Sequence, residues 1–332
     1  MLSTKKLILG AVATAFLATP ALAHRGGDGE LKIIYWQAPS IQNPYLSGGT
    51  KDIESSSLVL EPLAYYDQNG NMVPALAAEI PTIENGGVSA DLTSITWKLK
   101  SGVVWSDGSA FTSADVVFSG DYCMHPEGGC NAAPFFNDVT SIEAVDTLTV
   151  KITFGVAKPY PYGPFVGTTA PIIQKAQFEH CMGAKAPECT KENFGPIGTG
   201  PFKVTVFKAN DVVLYAMNES FREEGKPHFS NIVFKGGGDA ASAARSVLET
   251  GEFDYAWNLQ VEPEILSKMA SAGKGTVVTA FGTSVERLMV QFTNPAPAPG
   301  ATLATLHALP PPYPPYAALR MPLLPPRPPP IL

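Results

Sequence analysis

Residues 95–118 read ITWKLKSGVVWSDGSAFTSADVVF and carry a dense series of local structural signals. The three apolar residues of ITWKL alternate with polar ones, which predicts a strand with one buried face. Glycine-containing turns follow this strand, with a second short extended piece between them. Thr112 and Asp115 have the spacing of a capping box, so we expect a helix to begin there. The stretch therefore predicts a strand, two turns and a capped helix in close succession.

The composition is that of an acidic globular chain. The 332 residues are 45% hydrophobic and 16% charged, and the formal net charge is -7. These proportions are sufficient for a packed core. The negative charge argues against a nucleic-acid partner, because a basic surface supplies most of the affinity for phosphates.

The first 23 residues have the features of a secretory signal peptide. Two lysines provide a positive start, a largely apolar run covers residues 7–18, and Ala21-Leu22-Ala23 forms a small-residue cleavage site. The apolar run is shorter than the roughly 20 residues that span a bilayer. We therefore expect cleavage after Ala23 and a periplasmic location.

The four cysteines form two close pairs in the sequence. Cys123 and Cys130 flank one loop, and Cys181 and Cys189 flank another. In an oxidising compartment this spacing favours two local disulfides, although four cysteines allow three pairings.

A histidine lies close to a cysteine of each pair, at His125 and His180. Cysteine and histidine are common zinc ligands, so a secreted metal-binding protein or carrier that uses these loops is an alternative hypothesis. The spacing of the residues matches no standard zinc motif, which favours the disulfides.

The sequence offers no motif for catalysis. Residues 195–200 and 236–238 are rich in glycine, but neither segment ends in the Lys-Ser/Thr pair of a phosphate-binding loop. Neither a G-x-S-x-G nucleophile elbow nor an H-E-x-x-H zinc motif is present. We therefore expect a non-enzymatic protein that uses no cofactor.

Elsewhere the chain gives weaker local signals. Helical spacing predicts a helix over residues 53–63. Asn69-Gly70-Asn71 predicts a hairpin turn. A glycine-rich segment ending in Asp239 opens a predicted helix over residues 240–250, and residues 252–258 follow as a strand.

Four segments together resemble one protein family. Residues 97–119 resemble the signature of the peptide-type extracellular solute-binding proteins of ABC importers (family 5), an alternating strand that leads through Asp-Gly into Thr-Ala-x-Asp-Val-Val-Phe-Ser. Residues 197–203, IGTGPFK, resemble the family's Gly-Thr-Gly-Pro element. Residues 218–235 and 248–256 resemble its Asn-x-x-Tyr…Gly-Lys-Pro and Leu-x-x-Gly-Glu-Ile-Asp segments. The resemblance runs from Glu30 to about Asn294, in the family's order.

This resemblance implies an α/β, periplasmic-binding-protein-like fold of type II, peptide-binder class, in which two lobes close on a ligand. It implies a discontinuous first lobe, residues 24–60 plus 191–294, and an inserted subdomain at residues 61–190. The implied partners are a peptide or other small solute and the ABC transporter permease and ATPase complex at the inner membrane.

Residues 295–332 depart from the family, whose second lobe follows this position. They are rich in proline and have no strand or helix period. A reading-frame shift near Pro295 is the favoured explanation, and a genuine proline-rich tail or a single-lobe variant are the others. We expect the second lobe to be absent or replaced by this tail. Because pockets normally enclose most of a ligand's surface, we expect the chain as written to bind weakly or not at all.

The ligand-facing residues are expected where strands end. Gln37, Ser40 and Asn43 follow the first predicted strand, and Trp257 and Asn258 end a later one. Clefts of α/β proteins form at strand ends, and aromatic rings and amides suit peptide side chains and backbone groups. In the alternative interpretation, Trp257 belongs to the core and the polar residues to a solvated loop.

Overall fold

The computed structural model describes residues 24–257 and 259–279. The predicted signal peptide, Asn258 and the proline-rich segment 295–332 lie outside the described residues. Within the described part, the strands form a five-stranded sheet, a three-stranded sheet and a two-stranded hairpin. Each helix of that part is too short or too polar to cross a membrane.

The elements are numbered in chain order. The strands are β1 (Glu30–Tyr35), β2 (Ala64–Tyr66), β3 (Met72–Pro74), β4 (Ser94–Lys98), β5 (Val139–Asp146), β6 (Thr149–Phe154), β7 (Phe202–Lys208), β8 (Val212–Met217), β9 (Asn231–Gly236) and β10 (Tyr255–Trp257). The α-helices are α1 (Thr50–Ser56), α2 (Ser113–Met124), α3 (Lys175–Phe178), α4 (Thr190–Phe194), α5 (Ala240–Leu248) and α6 (Pro263–Ala270). Short 3-10 helices lie at Pro44–Leu46, Ala133–Phe136, Glu179–Cys181 and Gly183–Glu188.

The five-stranded sheet has the order β10-β1-β9-β8-β7. Strand β1 is parallel to both β9 and β10, and β8 pairs antiparallel with β9 and β7. Helix α5 connects β9 to β10, which is the helix-then-strand succession predicted for residues 240–258. The three parallel strands therefore end at the same edge of the sheet.

The end of β1 is buried on both faces of this sheet, and its successive side chains point to opposite faces. Ile34 packs with Ala243 and Phe253 on the side covered by α5. Tyr35 belongs to the cluster on the other side. The residues buried with it there are Val59, Phe202, Val213, Tyr215, Ile232 and Phe234.

The three-stranded antiparallel sheet has the order β4-β6-β5 and packs against α2. The apolar side chains of the predicted first strand are buried in its core, which confirms the alternation. Helix α2 begins after Thr112, whose N–H donates to Asp115 Oδ2 at 3.0 Å, as a capping box requires. The second extended piece is shorter than predicted, since only the Val104–Ala110 bridge forms there. The predicted hairpin turn joins β2 and β3.

The helix predicted over residues 53–63 ends early. The carbonyl of Leu58 accepts a hydrogen bond from Phe202 N–H at 3.0 Å. The carbonyl of Val59 accepts one from Gly200 N–H at 2.9 Å. These tertiary bonds occupy carbonyl groups that a longer helix would have used, so local spacing was a poor guide here.

The glycines of Gly198-Thr199-Gly200 let the backbone approach Val59 closely. A Cβ atom on Gly198 would lie 1.9 Å from the Val59 carbonyl oxygen, and one on Gly200 would lie 2.7 Å from it. No side chain fits at these distances. The Gly198 carbonyl also accepts from Ser106 N–H at 2.9 Å, so the same backbone segment contacts the part of the fold that contains β4.

A half-buried ion pair lies next to this contact. Arg222 donates to both carboxylate oxygens of Glu61, with distances of 2.6 Å and 2.8 Å. Thr199 Oγ1 donates to the same carboxylate at 2.8 Å, and Arg222 also donates to the Ala75 carbonyl. Bidentate geometry with further hydrogen bonds makes such a pair both strong and directional.

Substitution of Gly198 by alanine should destabilise the fold strongly. The new Cβ atom would overlap the Val59 carbonyl, so the backbone must move and break the adjacent hydrogen bonds. We expect a loss of about 3 kcal/mol or more in the free energy of unfolding, measured by denaturant titration with the disulfides intact. Gly195→Ala is the matched control, because its Cβ would lie at an ordinary contact distance of 3.5 Å from the Lys191 carbonyl oxygen. Equal stability of the two variants would contradict the steric explanation.

Glu61→Gln should also be costly, because it leaves the Arg222 guanidinium half-buried without its counter-charge. We expect a loss of about 2–4 kcal/mol in the free energy of unfolding. The exposed pair Lys203–Glu219 provides the comparison. Glu219→Gln should cost less than about 1 kcal/mol, since exposed ion pairs contribute little. A similar effect of both substitutions would show that burial of the Glu61–Arg222 pair is unimportant.

Candidate functional site

The carboxyl ends of the three parallel strands form the candidate site. In the sheet register, Tyr35 lies opposite Trp257 on one side and Gly236 on the other. A Cβ atom on Gly236 would lie 2.6 Å from Ala38 Cβ, so only glycine lets the segment after β1 pass over the end of β9. Crevices at this edge are the usual ligand sites of open α/β sheets.

A pocket of about 170 Å³ opens at this edge. Its lining residues come from the end of β1, the start of α1 and the end of β10, and they are Tyr35, Trp36, Gln37, Thr50, Lys51 and Trp257. The aromatic ring of Trp257 stacks on Tyr35 with 5.3 Å between centroids and 26° between planes. The Tyr35 ring in turn packs against Phe234 at 4.5 Å. The partly exposed indole of Trp257 is therefore held in place by Tyr35 and Phe234, which belong to the core.

A carboxyl group lies next to these aromatic rings. The Tyr35 hydroxyl donates a hydrogen bond to Glu54 Oε2. Burial raises the pKa of the Glu54 carboxyl, and the hydrogen bond from Tyr35 opposes this only in part. Burial and the neighbouring Glu54 raise the pKa of the Tyr35 phenol. The phenol therefore remains a donor, and Glu54 is more easily protonated than an ordinary glutamate.

Asp52 organises the loop that carries Ser40. Its carboxylate accepts from Ser40 N–H at 2.6 Å, from Ser40 Oγ at 2.9 Å and from Ser47 Oγ at 2.6 Å. Lys51 Nζ lies 2.8 Å from Asp52 and donates to Ser40 Oγ at 2.7 Å. Although burial alone would raise its pKa, these hydrogen bonds bring the pKa of Asp52 below its usual value. The charge that Lys51 brings to the pocket is therefore largely balanced.

The predicted ligand-facing residues lie in different surroundings. Gln37 is exposed, Trp257 is partly exposed, and both line the pocket. Ser40 is half-buried and reaches the pocket only through Lys51. Asn258 lies outside the described residues.

Asn43 is fully buried and its amide is used internally. The Nδ2 group donates to the Tyr122 hydroxyl at 3.1 Å and to Asn193 Oδ1 at 2.9 Å. Its Oδ1 accepts from Tyr45 N–H at 3.1 Å. In this structure the side chain thus connects α2, α4 and the loop after β1 and presents no surface to the pocket.

Sequence reasoning missed Tyr35, Glu54, Lys51 and Asp52. Tyr35 could have been found, since it is the last residue of a predicted buried strand at the edge where clefts form. The other three lie on a short helix whose facing surface depends on tertiary contacts, and no sequence signal singles them out.

The cysteine loops form the pairs that proximity favoured. The structure contains a Cys123–Cys130 and a Cys181–Cys189 disulfide. His180 lies near the second disulfide, and its Nε2 is 3.6 Å from Glu192 Oε1. While the sulfur atoms are bonded to each other, neither can serve as a thiolate ligand, so the metal-carrier alternative gains no support from the oxidised loops.

A mixed sheet with a pocket at its parallel strand ends, and a separate antiparallel sheet that lies between β1 and β9 in the sequence, is an arrangement suited to ligand binding. The chain belongs to the bacterial extracellular solute-binding proteins of family 5, because the model of that family's middle region matches residues 71–298. Its fold is that of type II periplasmic binding proteins of the peptide-binder class.

Similar proteins come from several bacteria. The chain is 25% identical over 256 residues to the glutathione-binding protein GsiB of Pectobacterium atrosepticum, covering 77% of this chain and 46% of that protein. The ABC transporter substrate-binding protein CtaP of Listeria monocytogenes superposes with a TM-score of 0.62 and 27% identity, covering 74% of this chain and 47% of CtaP. NikZ of Campylobacter jejuni, in complex with Ni(L-His), superposes with a TM-score of 0.59 and 26% identity. The match covers 69% of this chain and 43% of NikZ. The chain thus spans about half the length of the relatives it matches.

Glu54 should make stability depend on pH. Its pKa in the folded state lies above the ordinary value of 4.5, so the folded protein binds this proton more tightly than the unfolded chain does. Its contribution to stability is complete below pH 4.5 and is lost as the pH rises through the folded-state pKa. Glu54→Gln keeps an oxygen that accepts the Tyr35 hydrogen bond. Because the glutamine amide does not ionise, the variant does not lose this stabilisation as the pH rises. We therefore expect the stability of the variant relative to wild type to increase as the pH rises above 4.5 and through the folded-state pKa of Glu54.

Denaturant titrations at a series of pH values would measure this difference. Taking the variant relative to wild type cancels the contributions of other acids. Glu143→Gln, which alters an exposed carboxyl on β5, is the control and should give a nearly constant difference. A constant or falling difference for Glu54→Gln would contradict the assignment.

Proposed function

We propose that this chain is the solute-binding component of an ABC importer that captures peptides of the di- and oligopeptide class in the periplasm. It delivers them to a membrane permease driven by an ATPase, and it catalyses no reaction. Membership of the solute-binding family supports the class of function. The relatives named for glutathione and crystallised with a nickel–histidine complex bind small molecules built from amino acids.

The pocket at the parallel strand ends carries the proposal. It combines a stacked aromatic surface with an exposed amide and a balanced Lys51–Asp52 pair. Such a surface offers van der Waals contact to a side chain and hydrogen bonds to peptide groups without a strong preference for one charge. This combination suits a binder that accepts peptides of varied sequence.

We assign Trp257 and Gln37 as direct ligand contacts. The indole ring would cover an apolar side chain, and the Gln37 amide would pair with a peptide group. Ser40 would act mainly by holding Lys51, and Asn258 is proposed from the sequence alone as a further ligand contact. Asn43 would keep the loop after β1 in position instead of meeting the ligand.

The domain assignment belongs to this proposal. Residues 24–60 plus 191–294 would form the first lobe, residues 61–190 the inserted subdomain, and residues 295–332 a proline-rich tail. The pocket of about 170 Å³ is smaller than the roughly 300–1,000 Å³ of complete ligand sites, so it would enclose only part of a peptide. Weak binding by this chain alone is therefore expected.

The test is binding of a peptide panel to the full chain. Saturation-transfer NMR with di- to pentapeptides, glutathione and Ni(L-His) detects weak ligands at millimolar concentration. Peptides should give transfer to their side-chain protons, and the Kd values should lie above the micromolar range. No transfer from any peptide, or transfer only from the nickel complex, would overturn the peptide assignment.

Trp257→Ala should weaken this binding by about 5- to 100-fold, because it removes the stacked ring that covers the ligand. Trp257→Phe keeps an aromatic surface and should lose less. Tyr160→Ala is the control, since Tyr160 is exposed but does not line the pocket. If Trp257→Ala bound the peptides as well as wild type, while remaining folded by circular dichroism, the pocket would not be the binding site.

A further inference from the structure

Four side chains of the types that can bind metals come together around the second disulfide. They are His180, Cys181, Cys189 and Glu192, and their ligating atoms all lie within 4.8 Å of one another. The group includes Glu192, which sequence spacing did not point to, and excludes His125. Two sulfurs, an imidazole and a carboxylate are a donor set that zinc accepts in proteins.

Local structure assembles this group from a short piece of chain. The 3-10 helix Glu179–Cys181 carries the histidine and the first cysteine. Helix α4 begins directly after Cys189 and places Glu192 in its first turn. The two sulfur atoms are brought together by the disulfide itself.

The group has a buried side and an open side. Cys181 is fully buried, whereas the His180 side chain is 62% exposed. Glu192 lies between these extremes, with a side chain 13% exposed. An ion could therefore reach the group past the imidazole ring and be held against the buried sulfur.

We propose that the reduced form of this loop binds a zinc-type divalent cation through Cys181, Cys189, His180 and Glu192. A dithiol supplies the two electrons and two protons that break the Cys181–Cys189 bond, and the dithiol becomes a disulfide. The two thiols then lose their protons as they bind the metal. In the oxidised form, only His180 and Glu192 can bind an ion, and two ligands hold it weakly.

The distances suit tetrahedral coordination. Zinc–ligand bonds of about 2.0–2.3 Å place neighbouring ligand atoms roughly 3.3–3.8 Å apart. The present separations of up to 4.8 Å need only small side-chain movements, and the sulfurs must move apart once their bond is broken. Two thiolates and a carboxylate also supply more than enough negative charge to neutralise the ion. Within the described residues, no comparable set of ligands surrounds Cys123 and Cys130.

The test uses the full chain with Cys123→Ser and Cys130→Ser, so that Cys181 and Cys189 are the remaining thiols. This protein is reduced, freed of reductant without oxygen and titrated with zinc against a chromogenic chelator. We expect one zinc per chain in the reduced form and no tight binding in the oxidised form. Cobalt in place of zinc should give a tetrahedral spectrum with a thiolate-to-metal charge-transfer band.

Single substitutions identify the other two ligands. In the same background, His180→Ala and Glu192→Gln should each weaken zinc binding by about tenfold or more. His228→Ala is the control and should have no effect, because His228 is exposed and lies between β8 and β9. If neither His180→Ala nor Glu192→Gln weakened binding, or if the reduced protein bound no zinc, the proposed site would be wrong.

A measurement on the wild-type chain avoids dependence on folded variants. After reduction, zinc should protect Cys181 and Cys189 from alkylation more than Cys123 and Cys130, as read by mass spectrometry. Equal protection of both pairs would contradict a specific site in this loop.

Discussion

The contact between the Val59 carbonyl and the backbone of Gly198 to Gly200 is the constraint on which the rest of the structure depends. It stops α1 from continuing and thereby fixes where Glu61 can meet Arg222. The same backbone segment binds Ser106 on its other side, which ties the three-stranded sheet to the five-stranded one. Because the hydrogen bonds and the close backbone approach occur at the same place, a side chain on either glycine would displace the Val59 carbonyl and strain these bonds.

Local signals predicted the elements of the fold that depend on neighbours in sequence. The alternation at residues 95–99 and the capping pair Thr112 and Asp115 are short-range features, and both are present. The helix over residues 53–63 failed because its carbonyl groups bond to residues about 140 positions away. The family resemblance identified Gly198 and Gly200 as a motif, but only their approach to Val59 explains why that motif requires glycine.

The candidate site was predictable in position but only partly in composition. Strand ends pointed to Gln37 and Trp257, which line one pocket. The sequence did not predict the residues that pack next to them, since the hydrogen bond from Tyr35 to Glu54 depends on how α1 packs against β1. This arrangement has an electrostatic consequence. Burial raises the pKa of the half-buried Glu54 carboxyl, so this group next to the aromatic rings ionises less readily than an exposed glutamate does.

The Cys123–Cys130 disulfide joins the last turn of α2 to the loop that follows it, and the Cys181–Cys189 disulfide lies among 3-10 helices and the short helices α3 and α4. Closing such short loops restricts the unfolded chain and contributes on the order of 2–3 kcal/mol each. In the second loop the same bond also holds two potential metal ligands beside His180 and Glu192. A metal that binds only the reduced loop must, by linkage, make the disulfide easier to reduce. The bond that stabilises this loop and the ion that would occupy it therefore compete for the same two sulfur atoms.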